Sequence, residues 1–272
     1  MKNYRGFAAL LLVVMLTLSL PLEGYAAASV SWTSTTKKSW DKLVAGLDST
    51  QRMKLKGLYN DLAELQYKEN RLDMQTKALH NNNAATLSAA NSSIKQIDAA
   101  KLDSLSAQAK QTRDRYQPML DKYSMLTKQI SAAKALKSKE LAKLLQTQAD
   151  LLKPGVQAAK SEIKKRDDEY KAAKDAASKK GKTVRATLDG ITAVNVRMRA
   201  SKSSVTASKN ALSTANKTFA QVVKNGDAKT VASSLSNMLT LYRQLIAYKE
   251  KVYGYERDIT DIIAKAKSQL PK

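Results

Sequence analysis

Few side chains in this sequence could do covalent or metal chemistry. Histidine occurs once, as His80, and cysteine not at all, so zinc sets, thiolate nucleophiles and histidine-based triads cannot be assembled. Carboxylate groups are the remaining candidates. "RDDEY" places Asp167, Asp168 and Glu169 side by side, yet successive helical residues point about 100° apart and do not converge on one ion. Asp258 and Asp261 share a face three residues apart. Both sets are flanked by Lys and Arg and read as solvated charges. His80, beside three asparagines, reads as a cation at a helix C-terminus, where the macrodipole favours it. Glycine-rich phosphate loops are missing. An enzyme is not expected, and neither a cofactor nor a metal is implied.

The informative chemistry is cationic. The chain carries 47 Lys and Arg against 24 Asp and Glu, a formal charge of +23, which implies an acidic neighbour. The basic run lies between Lys182 and Lys224, where Asp189 is the sole acid. On a helical wheel its cations form a stripe beside an apolar seam. If the chain folds back at Gly181 and again at Gly226, Arg199 approaches Glu162 and Arg185 approaches Asp175. Lys202 then approaches Glu250, and Arg197 approaches Glu256. The same folding leaves Lys209, Lys217 and Lys224 opposite Lys137, Lys139, Lys143, Lys153, Lys229 and Arg243, with only Glu140, Asp150 and Asp227 nearby. These nine cations are the candidate anion-binding residues, expected to form one electropositive tip at the Asn225 to Asp227 turn.

Long helices must carry those residues. Glycine and proline number nine and four in the whole chain, too few for a loop-rich or β-rich domain. Apolar residues recur in alternating steps of three and four, the seam of a coiled coil. One seam is Leu55, Leu58, Leu62, Leu65, Leu72 and Leu79, with Glu69 and Thr76 as polar intruders. A second runs from Leu102 through Ala109, Thr112 and Leu126 to Ala133. The third is Leu141, Leu144, Leu152, Ala159, Ile163, Tyr170 and Ala177, with a one-residue ambiguity at Gly155 and Val156. The fourth runs from Ile191 through Met198 and Leu212 to Val222. The fifth is Val231, Leu235, Met238, Tyr242, Leu245, Val252, Ile259, Ile263 and Ala266, with Lys249 and Glu256 seven apart in the same seam.

Helix breaks are expected at "LHNNNA" (79–84), "KKGK" (179–182) and "NGD" (225–227). The fold expected is all-α, an elongated antiparallel bundle of about five long helices with coiled-coil packing. Residues 39–134 would form an N-terminal helical hairpin and 135–272 a three-helix antiparallel bundle. The second and third helices either run on continuously or turn near Ala135. Pro118 and Pro154 should kink that region.

The N-terminus, "MKNYRGFAALLLVVMLTLSLPLEGYAAAS", has the basic, apolar and small-residue order of a secretory signal peptide, 1–28, with cleavage expected after Ala28. No later run is long enough to span a bilayer. Residues 29–38 read as a flexible mature N-terminus, with Trp32 and Trp40 as tethers. A secreted or envelope location makes an anionic wall polymer or anionic lipid headgroups the expected partner, rather than nucleic acid.

"GLDSTQRMKLKGLYNDLAELQ" (46–66) opens a helix that Asp48 or Ser49 can cap, with Gln51 in its first turn. Leu47, Gln51, Leu55 and Leu58 at this spacing resemble the Leu-Thr-x-x-Gln helix start of the Spy and CpxP-type extracytoplasmic chaperones, although Asp48 stands where the family has Thr. That resemblance covers about twenty residues and implies a small exported helical protein whose cradle holds unfolded clients. Skp-type chaperones are similar in composition only. Helical pore-forming toxins need a strongly apolar head, whereas "SNMLTLYRQLIAY" is interrupted by Arg243 and Gln244. The leading expectation is therefore an exported structural or binding protein with a cationic surface, followed by an extracytoplasmic chaperone.

Overall fold

A computed structural model describes residues 30–271; the expected signal peptide and its cleavage after Ala28 lie outside them. The protein is all-α, with no strand among the described residues. Its helices are α1 (Ser34–Ala45), α2 (Ser49–Lys95), α3 (Ala99–Ala135), α4 (Lys139–Leu188), α5 (Gly190–Asn225) and α6 (Ala228–Ser268). Five are long, as the seams predict, and none is long and apolar enough to cross a membrane.

Local signals start several of them. Thr33 caps α1 by accepting from the Thr36 amide at 3.2 Å, and Asp48 caps α2 by accepting from Gln51 at 2.9 Å. Asp227 caps α6, taking the Thr230 amide at 2.9 Å. Ahead of it Gly226 turns the chain at φ 77°, a conformation that favours glycine.

Two other expected breaks are not breaks. The asparagines of 79–84 lie inside α2. Asn83 is 4% exposed, and its amide donates to Glu256 of α6, so the residues read as a helix end are partners of a buried acid. Gly181 lies inside α4. A Cβ there would touch Ile94 Cγ2 at 3.5 Å, so this glycine sits against a neighbouring helix instead of turning the chain. The reversal occurs at Leu136–Ser138, close to the alternative near Ala135. Lys137 takes φ 53°, and the Ser138 amide reaches back to Ala133, the bonding pattern of a Schellman stop. Between α4 and α5, Asp189 keeps a right-handed helical conformation and donates to Arg185, so the chain bends there without reversing.

Among the described residues the chain divides into two compact units, 30–74 with 202–250, and 75–201 with 251–271. This division cuts across the expected boundary at 134/135. In the first unit α1 and parts of α2, α5 and α6 enclose one core that includes Trp40, Leu55, Leu62, Phe219, Leu235 and Met238. Its N-terminal segment, expected to be flexible over 29–38, packs on this core from Val30 onward. The Val30 amide donates to the Tyr59 hydroxyl at 3.2 Å, and Ser31 donates to Gln66 Oε1 at 3.0 Å. Trp32 stacks on Phe219 with ring centres 4.6 Å apart, and Trp40 stacks on Tyr59 at 5.6 Å. Both tryptophans serve as tethers, and burying such large rings outweighs the ordering cost of a short segment.

In the second unit α3 and α4 form an antiparallel hairpin. Arg113 reaches Asp167 at 2.5 Å, Arg115 reaches Glu162 at 2.7 Å, and Lys180 reaches Asp98 at 2.8 Å. Position on α4 thus falls steadily as the chain passes from the end of α2 into α3, so α2 and α3 run in the same direction past α4. Asp98, at φ 54°, marks the junction. Pro118 and Pro154 sit inside uninterrupted α3 and α4.

The seam of α4 is shifted from the expected one. Ala142, Ala149, Val156 and Ala159 are buried, and Leu145 and Leu152 pack against Leu126 and Ile130. Leu141 and Leu144, assigned to the seam from spacing, are 47% and 59% exposed.

Candidate functional site

The charged residues of the α6 seam are used within the fold. Lys249 is 4% exposed, and its ammonium meets Glu69 at 2.7 Å and Asp73 at 2.6 Å. Glu256, 1% exposed, accepts from Asn83 at 3.0 Å and meets His80 Nδ1 at 2.8 Å. His80 is therefore a partner of a buried carboxylate, not a cation at a helix end. Both buried charges have the polar company that burial demands.

Several other acids also have structural partners. Asp167 pairs with Arg113 and Glu169 with Arg166, so the "DDE" run points apart. Glu162 accepts from the Tyr116 hydroxyl at 2.5 Å and from Arg115. Those bonds hold its carboxyl below the ordinary carboxylate range, the Tyr116 bond contributing most. Among the described residues no group of three or more His, Cys, Asp or Glu is placed to hold a metal ion.

The internal pairing expected for the basic helix is replaced. Arg197 lies 4.0 Å from Asp258 and over the Tyr255 ring, not beside Glu256. Glu250 pairs with Lys68 at 2.9 Å, not with Lys202. Glu162 meets Arg115 rather than standing opposite Arg199, and Arg185 and Asp175 lie on one and the same helix, α4. For Arg199 and Arg185 the physical reason is that the reversal assumed at Gly181 does not exist; the one at Gly226 does, and Arg197 still meets α6, two residues beyond Glu256.

That reason also divides the nine candidate cations. Lys137, Lys139, Lys143 and Lys153 belong to the second unit, at the α3–α4 end of the hairpin. Lys209, Lys217, Lys224, Lys229 and Arg243 belong to the first. None of the nine forms an ion pair among the described residues. Asp227 is engaged in capping, and hydrogen bonds from Thr230 and then Lys229 hold its carboxyl below the ordinary range.

Two surface features stand beside these cations. In the first unit, a groove of about 510 Å³ runs between the N-terminal segment, α5 and α6. Lys209 and Lys217 line it, eight residues apart on α5 and so about 12 Å apart along the axis. Trp32 and Asn216 line it too, and the indole Nε1 and amide Oδ1 of these residues are buried with no hydrogen-bond partner. The sequence flagged both lysines and Trp32 but not Asn216, because a polar residue one step from a seam carries no signal of what lies opposite.

In the second unit, the hairpin has two unlike faces. Leu141, Leu144 and Leu151 are exposed and lie about 60° to 140° to one side of the α4 seam at 100° per residue. Lys139, Lys143 and Lys153 lie about as far to the other side. Met125 of α3 and Leu136 at the turn are also exposed, at 56% and 80%. Comparison with family models, curated proteins and solved structures finds nothing that matches this chain.

Proposed function

We propose that this chain is an exported, non-enzymatic helical bundle that binds an anionic polymer or lipid surface through its cations. The observation that carries the reading is the contrast in ion pairing. Arg113, Arg115, Arg197 and Lys249 have acids at 2.5 to 4.0 Å, whereas none of the nine candidate cations forms an ion pair among the described residues. Unpaired lysines on a folded surface retain their full electrostatic attraction for a polyanion, and salt screens it. Export rests on the basic, apolar and small-residue order of residues 1–28. The test is sedimentation with phosphatidylglycerol vesicles and with isolated cell-wall material. A Lys209→Glu, Lys217→Glu, Lys224→Glu variant should lose salt-sensitive binding, and unchanged binding would sink the proposal.

The leucine face of the hairpin favours a second reading, an extracytoplasmic holder of unfolded clients. Three leucines left in water forgo roughly 1.5 to 3 kcal/mol each, a cost that an apolar client segment would relieve. On this reading the chain suppresses aggregation of an unfolded protein. A Leu141→Ser, Leu144→Ser, Leu151→Ser variant abolishes that activity and leaves vesicle binding intact. Retained suppression in this variant would remove the holder reading.

A further inference from the structure

We infer that the groove in the first unit binds one unit of a hydroxylated phosphate or polyol phosphate, its hydroxyl bridging Trp32 Nε1 and Asn216 Oδ1 and its phosphate held by Lys217. The inference rests on the anion-binding reading for the two lysines, and it adds a defined site and a ligand chemistry to it.

The two orphaned atoms carry the argument. A buried donor or acceptor left unpaired costs about 1 to 3 kcal/mol, and native folds keep few of them. Here the residues that carry one such donor and one such acceptor line the same groove. Their neighbours are otherwise satisfied. Ser31 donates to Gln66, and Gln66 donates to the Tyr242 hydroxyl at 2.9 Å. Glu69, also in the groove, is occupied by Lys249. Trp32 is fixed by stacking on Phe219 and by its edge contacts with Trp40 and Tyr59. Its N–H therefore keeps a set direction and cannot turn to water for a partner.

A hydroxyl accepts from an indole N–H and donates to an amide oxygen at the same time. The charge pattern supplies the rest of the ligand. Lys217 lines the same groove as Asn216, so an anion next to that hydroxyl lies within reach of an ammonium, and Lys209 reaches the groove from two turns earlier. Glu69 sets the opposite bias among the groove-lining residues, where a second anion is repelled and a neutral hydroxyl is tolerated. Because both orphaned atoms lie beneath the surface, entry requires the exposed side chains of Lys209, Ser213 and Lys217, which line the groove, to swing aside. Exposed side chains on a helix do so within nanoseconds.

The chain has two tryptophans, so ¹⁵N-labelled full-length protein gives two indole N–H signals, assigned with Trp32→Phe. Titration with glycerol 1-phosphate should move the Trp32 signal saturably and leave that of Trp40 in place. Glycerol and inorganic phosphate, each supplying half of the chemistry, should bind at least tenfold more weakly. Lys217→Gln should weaken glycerol phosphate about tenfold, the loss of one charge-assisted hydrogen bond. Asn216→Ser, which keeps an acceptor, should retain binding, and Asn216→Leu should abolish it. A Trp32 signal that does not respond to glycerol phosphate overturns the inference, as does a response equalled by inorganic phosphate or unchanged in Asn216→Leu. The two proposals fail separately. A silent Trp32 signal with intact salt-sensitive vesicle binding removes the groove alone, and a responsive one without vesicle or wall binding removes the surface alone.

Discussion

Asp73 of α2 and Lys249 of α6 meet at 2.6 Å across an interval of 176 residues. The same interval separates Gln66 from Tyr242 in the first unit and His80 from Glu256 in the second. These pairs step along both helices by seven residues, so α2 and α6 run parallel in one register with a polar rung at each heptad. Polar groups at seam positions are the best-attested means of fixing register in packed helices. A slip of α6 by one heptad in one direction would put Glu256 against Asp73, leaving a buried acid facing an acid, and in the other direction would put Lys249 against His80.

The Lys249 rung should be asymmetric. Glu69 is 16% exposed in its side chain and Asp73 52%, so water screens the second pair and not the first. Lys249→Met should cost about 3 kcal/mol in urea unfolding, because it strands Glu69. Asp73→Asn should cost under about 1 kcal/mol. Equal costs for the two would contradict the rung as described.

At the next rung the buried partner should dominate the exposed one. Asn83→Leu leaves Glu256 Oε2 without its donor in a seam position 1% exposed and should cost about 2 to 3 kcal/mol. His80 has 60% of its side chain exposed, and His80→Ala should cost less than about 1 kcal/mol. Thermal unfolding of both variants at pH 7 checks the order.

Acid should loosen the α3–α4 hairpin. Glu162 has a folded pKa below its unfolded value, first through the Tyr116 hydroxyl and then through Arg115. Its contribution is therefore complete above the unfolded pKa, about 4.3, and disappears as pH falls through the folded value. Amide exchange in α3 and α4 should quicken between about pH 5 and pH 3. Glu162→Gln should flatten that dependence; an identical profile would assign the effect elsewhere.

Backbone substitutions should separate three positions. Gly226→Ala forces a side chain onto φ 77° and should cost about 1 to 2 kcal/mol, although nothing within 4 Å would obstruct it. Gly181→Ala meets only ordinary contacts at 3.5 Å and beyond and should gain about 0.5 to 1 kcal/mol. Lys137→Gly relieves φ 53° and should also stabilise, by about 1 kcal/mol. Melting temperatures of the three variants give the signs directly.

Much of this fold is legible in the seams. Every apolar residue assigned to the α6 seam is buried, and so are the intruders Lys249 and Glu256. Topology was harder to read, because Gly181 and the asparagines at 81–83 carry turn chemistry in a tract where packing overrides it. Helix propensity costs at such residues are near 1 kcal/mol or less, and an interhelical contact such as Asn83 to Glu256 outweighs them. The true reversal at Leu136–Ser138 has no glycine or proline and so no strong local signal. In α4 the spacing allowed two registers one residue apart, and the hairpin uses the one that buries alanines. The cationic residues were visible individually, but their grouping depended on the turn and was lost with it. Trp32 announced itself as a tether; its unpaired N–H could be seen only once Asn216 was placed in the same groove.

The 176-residue interval also bears on how the molecule reaches its native state. Contacts between α3 and α4 close loops of 46 to 54 residues in the cases of Tyr116 with Glu162 and Arg113 with Asp167, whereas no α2 to α6 rung can form until nearly the whole chain has emerged. Long-separation contacts are the slow ones, since closure entropy must be met before they repay it. The hairpin is thus expected to be an early product of synthesis. Through that interval α2 carries Glu69, Asp73, His80 and Asn83 on an unpartnered face, and those polar groups keep a waiting helix in water and out of premature apolar association.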